Sequence, residues 1–283
     1  MTRVPRALRA QYWLLVAGFA VSGVGTAWGL SAALGHAGAL RWVVAAAVPL
    51  AYVVGFLGRH LDANHRPSGV ASADGGRPVR GTVGVANAVT ATRGWLYAAV
   101  FGFVAVSPPV GSWWRWLPAA WYGSGVVLDT VDGALARRVG RRTVLGARLD
   151  LATDTLGFLC APLVAVAWGR LPVWYLSLSL ARYVFKLACW VRRRRGRHVG
   201  DLPPSRSRRL LAGMQMLFIT VALVPVLPAA VVTPIAGIVL VPSLVVFGRD
   251  YCAVAGYFGV RDEGDAVEDT SETGGNAEGG SLR

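Results

Sequence analysis

A chain of 283 residues with 54% hydrophobic and only 16% charged residues is far from a water-soluble domain, in which about a quarter of residues carry charge. The formal net charge of +14 comes almost wholly from arginine, with Lys186 the single lysine. Basic and acidic residues are segregated along the chain, so the total describes no nucleic-acid-binding face, and a membrane protein is expected. Cys160, Cys189 and Cys252 lie in or beside apolar runs without CxxC or metal-ligand spacing, so they read as small buried apolar residues.

In chain order, Arg3, Arg6 and Arg9 precede an apolar run from about Tyr12 to Leu34. That run is too long for a signal-peptide core and reads as a membrane anchor helix. A crossing helix needs about 20 mostly apolar residues. Eight stretches meet or approach this: roughly 12–34, 40–58, 84–107, 113–136, 146–168, 171–191, 209–227 and 230–250. They are continuous runs of Ala, Leu, Val and Gly without two-residue alternation, so helices are predicted rather than strands. The predicted fold class is all-α, a polytopic membrane bundle of about eight helices. Residues 1–80 form a two-helix extension and a Gly-, Arg- and Ser-rich linker, and 81–258 a six-helix core. Residues 259–283, acidic and almost devoid of apolar side chains, read as a disordered tail.

Loop charge sets orientation. One set of loops carries Arg59, Arg66, Arg77, Arg80, Arg138, Arg141, Arg142 and the dense cluster from Arg192 to Arg209, whereas the opposite set holds only Arg41, Arg115 and Arg170. The expectation is a multi-pass protein of the plasma membrane with both termini cytoplasmic. Trp113, Trp114, Trp116, Trp168 and Trp174 fall around the outer ends, where an interfacial aromatic belt is expected.

Every glutamate lies in the tail; before it there are eight acids, all aspartate, and four of them fall between 129 and 154. An ionised carboxylate at membrane depth costs several kcal/mol unless paired or solvated. Asp129 and Asp132, three apart, share one helix face, as do Gly146, Asp150 and Asp154, four apart. The two stripes face each other across a short helical hairpin near the cytoplasmic side. With no His or Cys beside them, their oxygens suit Mg²⁺, Mn²⁺ or Ca²⁺.

The segment from Asp129 to Asp154 reads D-x2-D-G-x2-A-R-x8-G-x3-D-x3-D. It resembles the signature of the CDP-alcohol phosphotransferase family at all eight fixed positions. The resemblance implies a six-helix core, a homodimer and an active site at the cytoplasmic interface. It implies transfer of a phosphatidyl-type or archaetidyl group from a CDP-linked lipid to an alcohol hydroxyl, with release of CMP. Asp129, Asp132, Asp150 and Asp154 would hold two divalent ions, Mg²⁺ or Mn²⁺, on the donor pyrophosphate. Asp154 matches the position of the general base. Gly133 and Ala136 would let the nucleotide approach, and Arg137 and Thr143 would contact it. Upstream, Asn87, Thr90 and Arg93 match an N-x2-T-x2-R element expected to hold cytidine and phosphates.

Arg182 and Lys186, four apart on the sixth predicted helix, are the candidate pocket for a phosphorylated acceptor, although both can also snorkel to the interface. The expected partners are therefore the CDP-lipid donor, a small polar alcohol and membrane lipids. A cation or proton transporter is the competing class, because intramembrane aspartates also serve ion transport. It would need ionisable residues through both halves of the membrane, and here they concentrate on one side.

Overall fold

In an apolar surrounding each backbone N–H must find a carbonyl within its own segment, so uninterrupted apolar runs fold as helices. The computed structural model describes residues 4–65, 79–139, 143–197, 199–200 and 205–256, the side chains of 132–139 and of Arg206 excepted. The predicted acidic tail, 259–283, lies outside them, as does 66–78 of the predicted linker. Among the described residues there are seven α-helices and no strand: α1 (Arg6–Arg59), α2 (Val85–Gly102), α3 (Leu117–Val139), α4 (Val144–Ala167), α5 (Ser177–Arg194), α6 (Arg206–Ala222) and α7 (Ala229–Val254). The first, fourth and seventh are long and apolar enough to cross a membrane.

Seven helices stand where eight spans were predicted because α1 takes in the first two. Its helical dihedrals break at Gly35, with φ 68° and ψ 170°, a left-handed conformation that glycine adopts without steric cost. The chain reverses there. The Tyr12 hydroxyl donates to the Val54 carbonyl at 3.3 Å, two residues that a straight helix would hold roughly 60 Å apart. Trp13, Val24, Trp28, Val44 and Val48 remain exposed on this hairpin, as do Ile238, Val241 and Val245 on α7. Such apolar faces suit lipid rather than water.

The second helix runs through the middle, packed against α1, α3 and α4. Indole N–H groups tie it to the hairpin, Trp42 Nε1 donating to Ala99 O and Trp95 Nε1 to Phe19 O, each at 3.1 Å. The fully buried Tyr97 fills the space between α2, α3 and α4. That fit needs missing side chains: a Cβ at Gly125 of α3 would lie 2.5 Å from the Tyr97 ring, and one at Gly157 of α4 would lie 2.9 Å from it.

Other joints reuse backbone groups that the helices leave free. Pro162 within α4 has no N–H for the carbonyl four residues earlier, and the Ser179 hydroxyl of α5 donates to that carbonyl, Phe158 O. At the end of the bundle remote from the α4 N-terminus, Trp168 Nε1 donates to Phe103 O and Val106 O, and the Arg170 guanidinium donates to Pro225 O and Leu227 O. Of the predicted aromatic belt, Trp113, Trp116 and Trp174 are exposed. Trp168 is spent on packing, and the Trp114 ring lies against Gly29 of the hairpin.

Gly125→Ala is expected to force the α3–Tyr97 contact apart and lower the unfolding midpoint in detergent, a loss of about 1–3 kcal/mol. A Cβ at Gly18 meets nothing within 4 Å, so Gly18→Ala is expected to leave the midpoint unchanged or slightly raised.

Candidate active site

The helices α2, α3 and α4 converge about two turns inside the starts of α2 and α4. At their meeting point the Arg93 guanidinium lies against three carboxylates. Nη1 is 2.8 Å from Asp129 Oδ1 and 2.8 Å from Asp150 Oδ1, and Nη2 is 2.7 Å from Asp154 Oδ1. The arginine side chain is fully buried, while those of the aspartates retain 37%, 48% and 28% of their exposure. The cation thus sits beneath an acidic surface that faces outward. A planar guanidinium presents several N–H groups in a fixed fork and keeps its charge when buried, so it suits three acceptors arriving from two helices.

The predicted facing of the stripes is therefore present for Asp129 opposite Asp150 and Asp154. One oxygen from each of the three lies within 4.8 Å of the others, close enough for shared coordination of a small cation. All three donors are hard carboxylate oxygens, the set that Mg²⁺, Mn²⁺ and Ca²⁺ accept. The buried guanidinium supplies positive charge at the same point. Asp132, Gly133, Ala136 and Arg137 belong to the final turns of α3, and their side chains lie outside the described residues.

The remaining predicted donor-binding residues have structural partners. Thr143 caps α4, its hydroxyl accepting from Gly146 N at 3.0 Å. The Asn87 carboxamide donates to Val83 O at 2.8 Å and lies 3.4 Å from the Thr143 hydroxyl. Thr90 turns its hydroxyl onto Ala86 O, one helical turn back. All three are buried. Asn87 and Thr143, expected to contact a nucleotide, join α2 to α4 here, while the Thr90 hydroxyl bonds within α2.

Beside the carboxylates, α4, α5, α6 and α7 enclose a cavity of about 450 Å³. Leu151 and Thr155 border it, each one residue beyond an aspartate of the cluster. Arg182 and Lys186 line it together, as their spacing predicted. Arg208 joins them, its Nε 3.3 Å from Asp250 Oδ2, and Arg249 holds the other oxygen of Asp250 at 3.0 Å. Most of the remaining lining is apolar, including Phe158, Leu178 and Phe247.

Three residues were missed by the sequence reading. Asp250 is nearly buried against Arg208; as one of eight acids before the tail, at the end of an apolar run, it carried a legible signal. Gln215 accepts from the Tyr175 hydroxyl and donates to Val239 O at 2.8 Å and to Ser243 Oγ at 2.9 Å. A lone amide in an apolar run marks a buried polar joint of this kind. Asn64, fully buried, carried no such signal, because its segment has the composition of a linker.

A family model described as CDP-alcohol phosphatidyltransferase matches residues 83–247, more than half of the chain. No curated protein and no solved structure matches the chain.

Removing Arg93 leaves three carboxylates in mutual repulsion. Arg93→Ala is expected to cost about 3 kcal/mol of stability in metal-free detergent. Millimolar Mn²⁺ is expected to raise the unfolding midpoint of the variant more than that of the wild type, as followed by intrinsic fluorescence.

Proposed function

Because the chain belongs to the CDP-alcohol phosphatidyltransferase family, we propose that the carboxylate end of the bundle is its catalytic centre. The family makes phospholipids by moving a phosphatidyl group from a CDP-alcohol, and its members use divalent metal ions. The donor proposed for this chain is a CDP-linked lipid, diacylglycerol- or archaeol-based, and the acceptor is a small polar alcohol. The observation that carries the reading is the convergence of Asp129, Asp150 and Asp154, from two helices, on one point, with Leu151 and Thr155, the residues after two of them, lining a cavity that holds basic residues.

Asp129, Asp132, Asp150 and Asp154 are proposed to hold two ions, Mg²⁺ or Mn²⁺, whose bound charge would offset that developing on the donor pyrophosphate as CMP departs. Asp154 is proposed as the general base. Its carboxylate takes the acceptor hydroxyl proton as that oxygen bonds to the lipid-bearing phosphorus. The bond from this phosphorus to the CMP oxygen breaks, and CMP leaves with the electron pair. Nucleotide contacts fall to Asn87, Thr90, Arg93, Gly133, Ala136, Arg137 and Thr143.

Arg182, Lys186 and Arg208 give the neighbouring cavity a cationic wall, which supports a phosphorylated acceptor. The core is proposed as 81–258, working as a homodimer in the plasma membrane with its catalytic end on the cytoplasmic side, as the arginine distribution indicates. A transporter is disfavoured by the far end of the bundle, where Arg170 is used up on loop carbonyls and Trp168 on packing.

The test supplies purified protein with labelled CDP-diacylglycerol or CDP-archaeol, Mg²⁺ or Mn²⁺, and a panel of free and phosphorylated alcohols. CMP release with at least one acceptor is expected, and none with any acceptor overturns the reading. Asp154→Asn is expected to lower turnover by about 10²–10⁴-fold, and retained turnover would remove Asp154 from the role of base.

A further inference from the structure

The α1 hairpin and the turn after it precede the segment that matches the family model, which begins at residue 83. Their final residues nevertheless reach the catalytic end. After α1 the chain makes a single 3₁₀ turn, Leu61–Ala63. Leu61 and Ala63 are buried in one apolar cluster with Leu8, Val83, Leu145 and Leu149. The next residue, Asn64, is fully buried and polar, a placement that requires every polar atom to find a partner.

Its partners are backbone and side-chain groups that frame α2 and α4. Asn64 Nδ2 donates to Thr82 O at 2.7 Å, its Oδ1 accepts from Asn87 Nδ2 at 3.3 Å, and its carbonyl accepts from Arg80 N at 2.8 Å. The neighbouring His65 carbonyl accepts at 3.0 Å from Val144 N, one of the N–H groups that a helix N-terminus leaves without an intrahelical partner. At the other end of the hairpin, Gln11 Oε1 accepts from Val83 N at 2.8 Å. The residues before 83 thus satisfy donors at the starts of both α2 and α4.

The Asn87 carboxamide is the hinge of this arrangement. It is held between Asn64 on one side and the Thr143 hydroxyl on the other, so it joins the extension to the α4 cap. Gly146 makes room for it, since a Cβ there would come within 2.5 Å of Asn87 Oδ1. The glycine of the signature therefore has a local reason in this chain, the close seating of that carboxamide on α4. Farther along the same two helices stand Arg93, Asp150 and Asp154, whose ion pairs of 2.7–2.8 Å tolerate little relative movement.

We propose that Asn64, contributed by the N-terminal hairpin, is a positioning residue for the donor side of the site. It acts through Asn87 to set α2 and α4 in register, and the extension is thereby part of the enzyme's working centre. The inference rests on the catalytic reading above.

The experiment is a double-mutant cycle on full-length protein with Asn64→Ala, Asn87→Ala and the pair, alongside Leu61→Ala, which weakens the apolar seat without touching Asn87. For Asn64→Ala the KM for the CDP-lipid is expected to rise about tenfold, the effect of one lost hydrogen bond, with the acceptor KM within about twofold of wild type. In the Asn87→Ala background the same change is expected to add nothing, the non-additivity of residues acting through each other. Leu61→Ala is expected to lower the unfolding midpoint while leaving donor KM alone. Should the alanine variant not purify folded, Asn64→Ser carries the same expectation, because its side chain is too short to reach Asn87. An unchanged donor KM, additive effects in the cycle, or an equal rise in Leu61→Ala overturns the inference while the catalytic reading stands. A wild type that releases no CMP overturns both.

Discussion

The contact on which the rest of the structure depends is the Arg93 guanidinium against Asp129, Asp150 and Asp154. Three carboxylates drawn from two helices repel one another, and nothing in an apolar bundle offsets that repulsion except a cation at their centre. Arg93 supplies it from a third helix. The same contact therefore joins α2, α3 and α4 and keeps acidic oxygens together, half-exposed, at one end of the bundle. A single charge set against three leaves the cluster acidic, which accords with the divalent ions that the family uses.

Such a contact works only if the helices beneath it hold still. Tyr97 lies one turn beyond Arg93 on α2, and Gly125 and Gly157 receive its ring from two sides. Close approach at these glycines sets the helix separation, and the separation sets the distances among the carboxylates. At the outer tip, Asn87, Thr143 and Asn64 tie the helix starts with neutral hydrogen bonds. Packing below and charge in the middle act on α2, α3 and α4, and polar capping above acts on α2 and α4. The cavity with its basic residues lies beyond α4, next to this assembly.

Much of this was legible in the sequence because helices turn periodic spacing into shared faces. Asp150 and Asp154, four apart, point together, and Arg182 with Lys186 line one cavity for the same reason. The membrane class followed from composition, and the two arms of α1 followed from two apolar runs broken near Gly35. What stayed hidden depended on contacts between distant residues. The N-x2-T-x2-R element shows which side chains share a face of α2 but not that Arg93 meets three aspartates more than 30 residues away. The predicted linker was read from its glycine, arginine and serine content, and composition says nothing of Asn64, whose burial depends on Leu61, Val83 and Leu145 coming together.

The most direct measurement is Mn²⁺ binding by the purified protein, followed by loss of the free-ion signal in electron paramagnetic resonance. The wild type is expected to bind Mn²⁺, and more tightly with CDP present, while the Asp129→Asn/Asp150→Asn double variant, still folded, is expected to lose this binding. Equal binding in the two proteins would contradict the assignment of this carboxylate cluster as the metal-dependent centre.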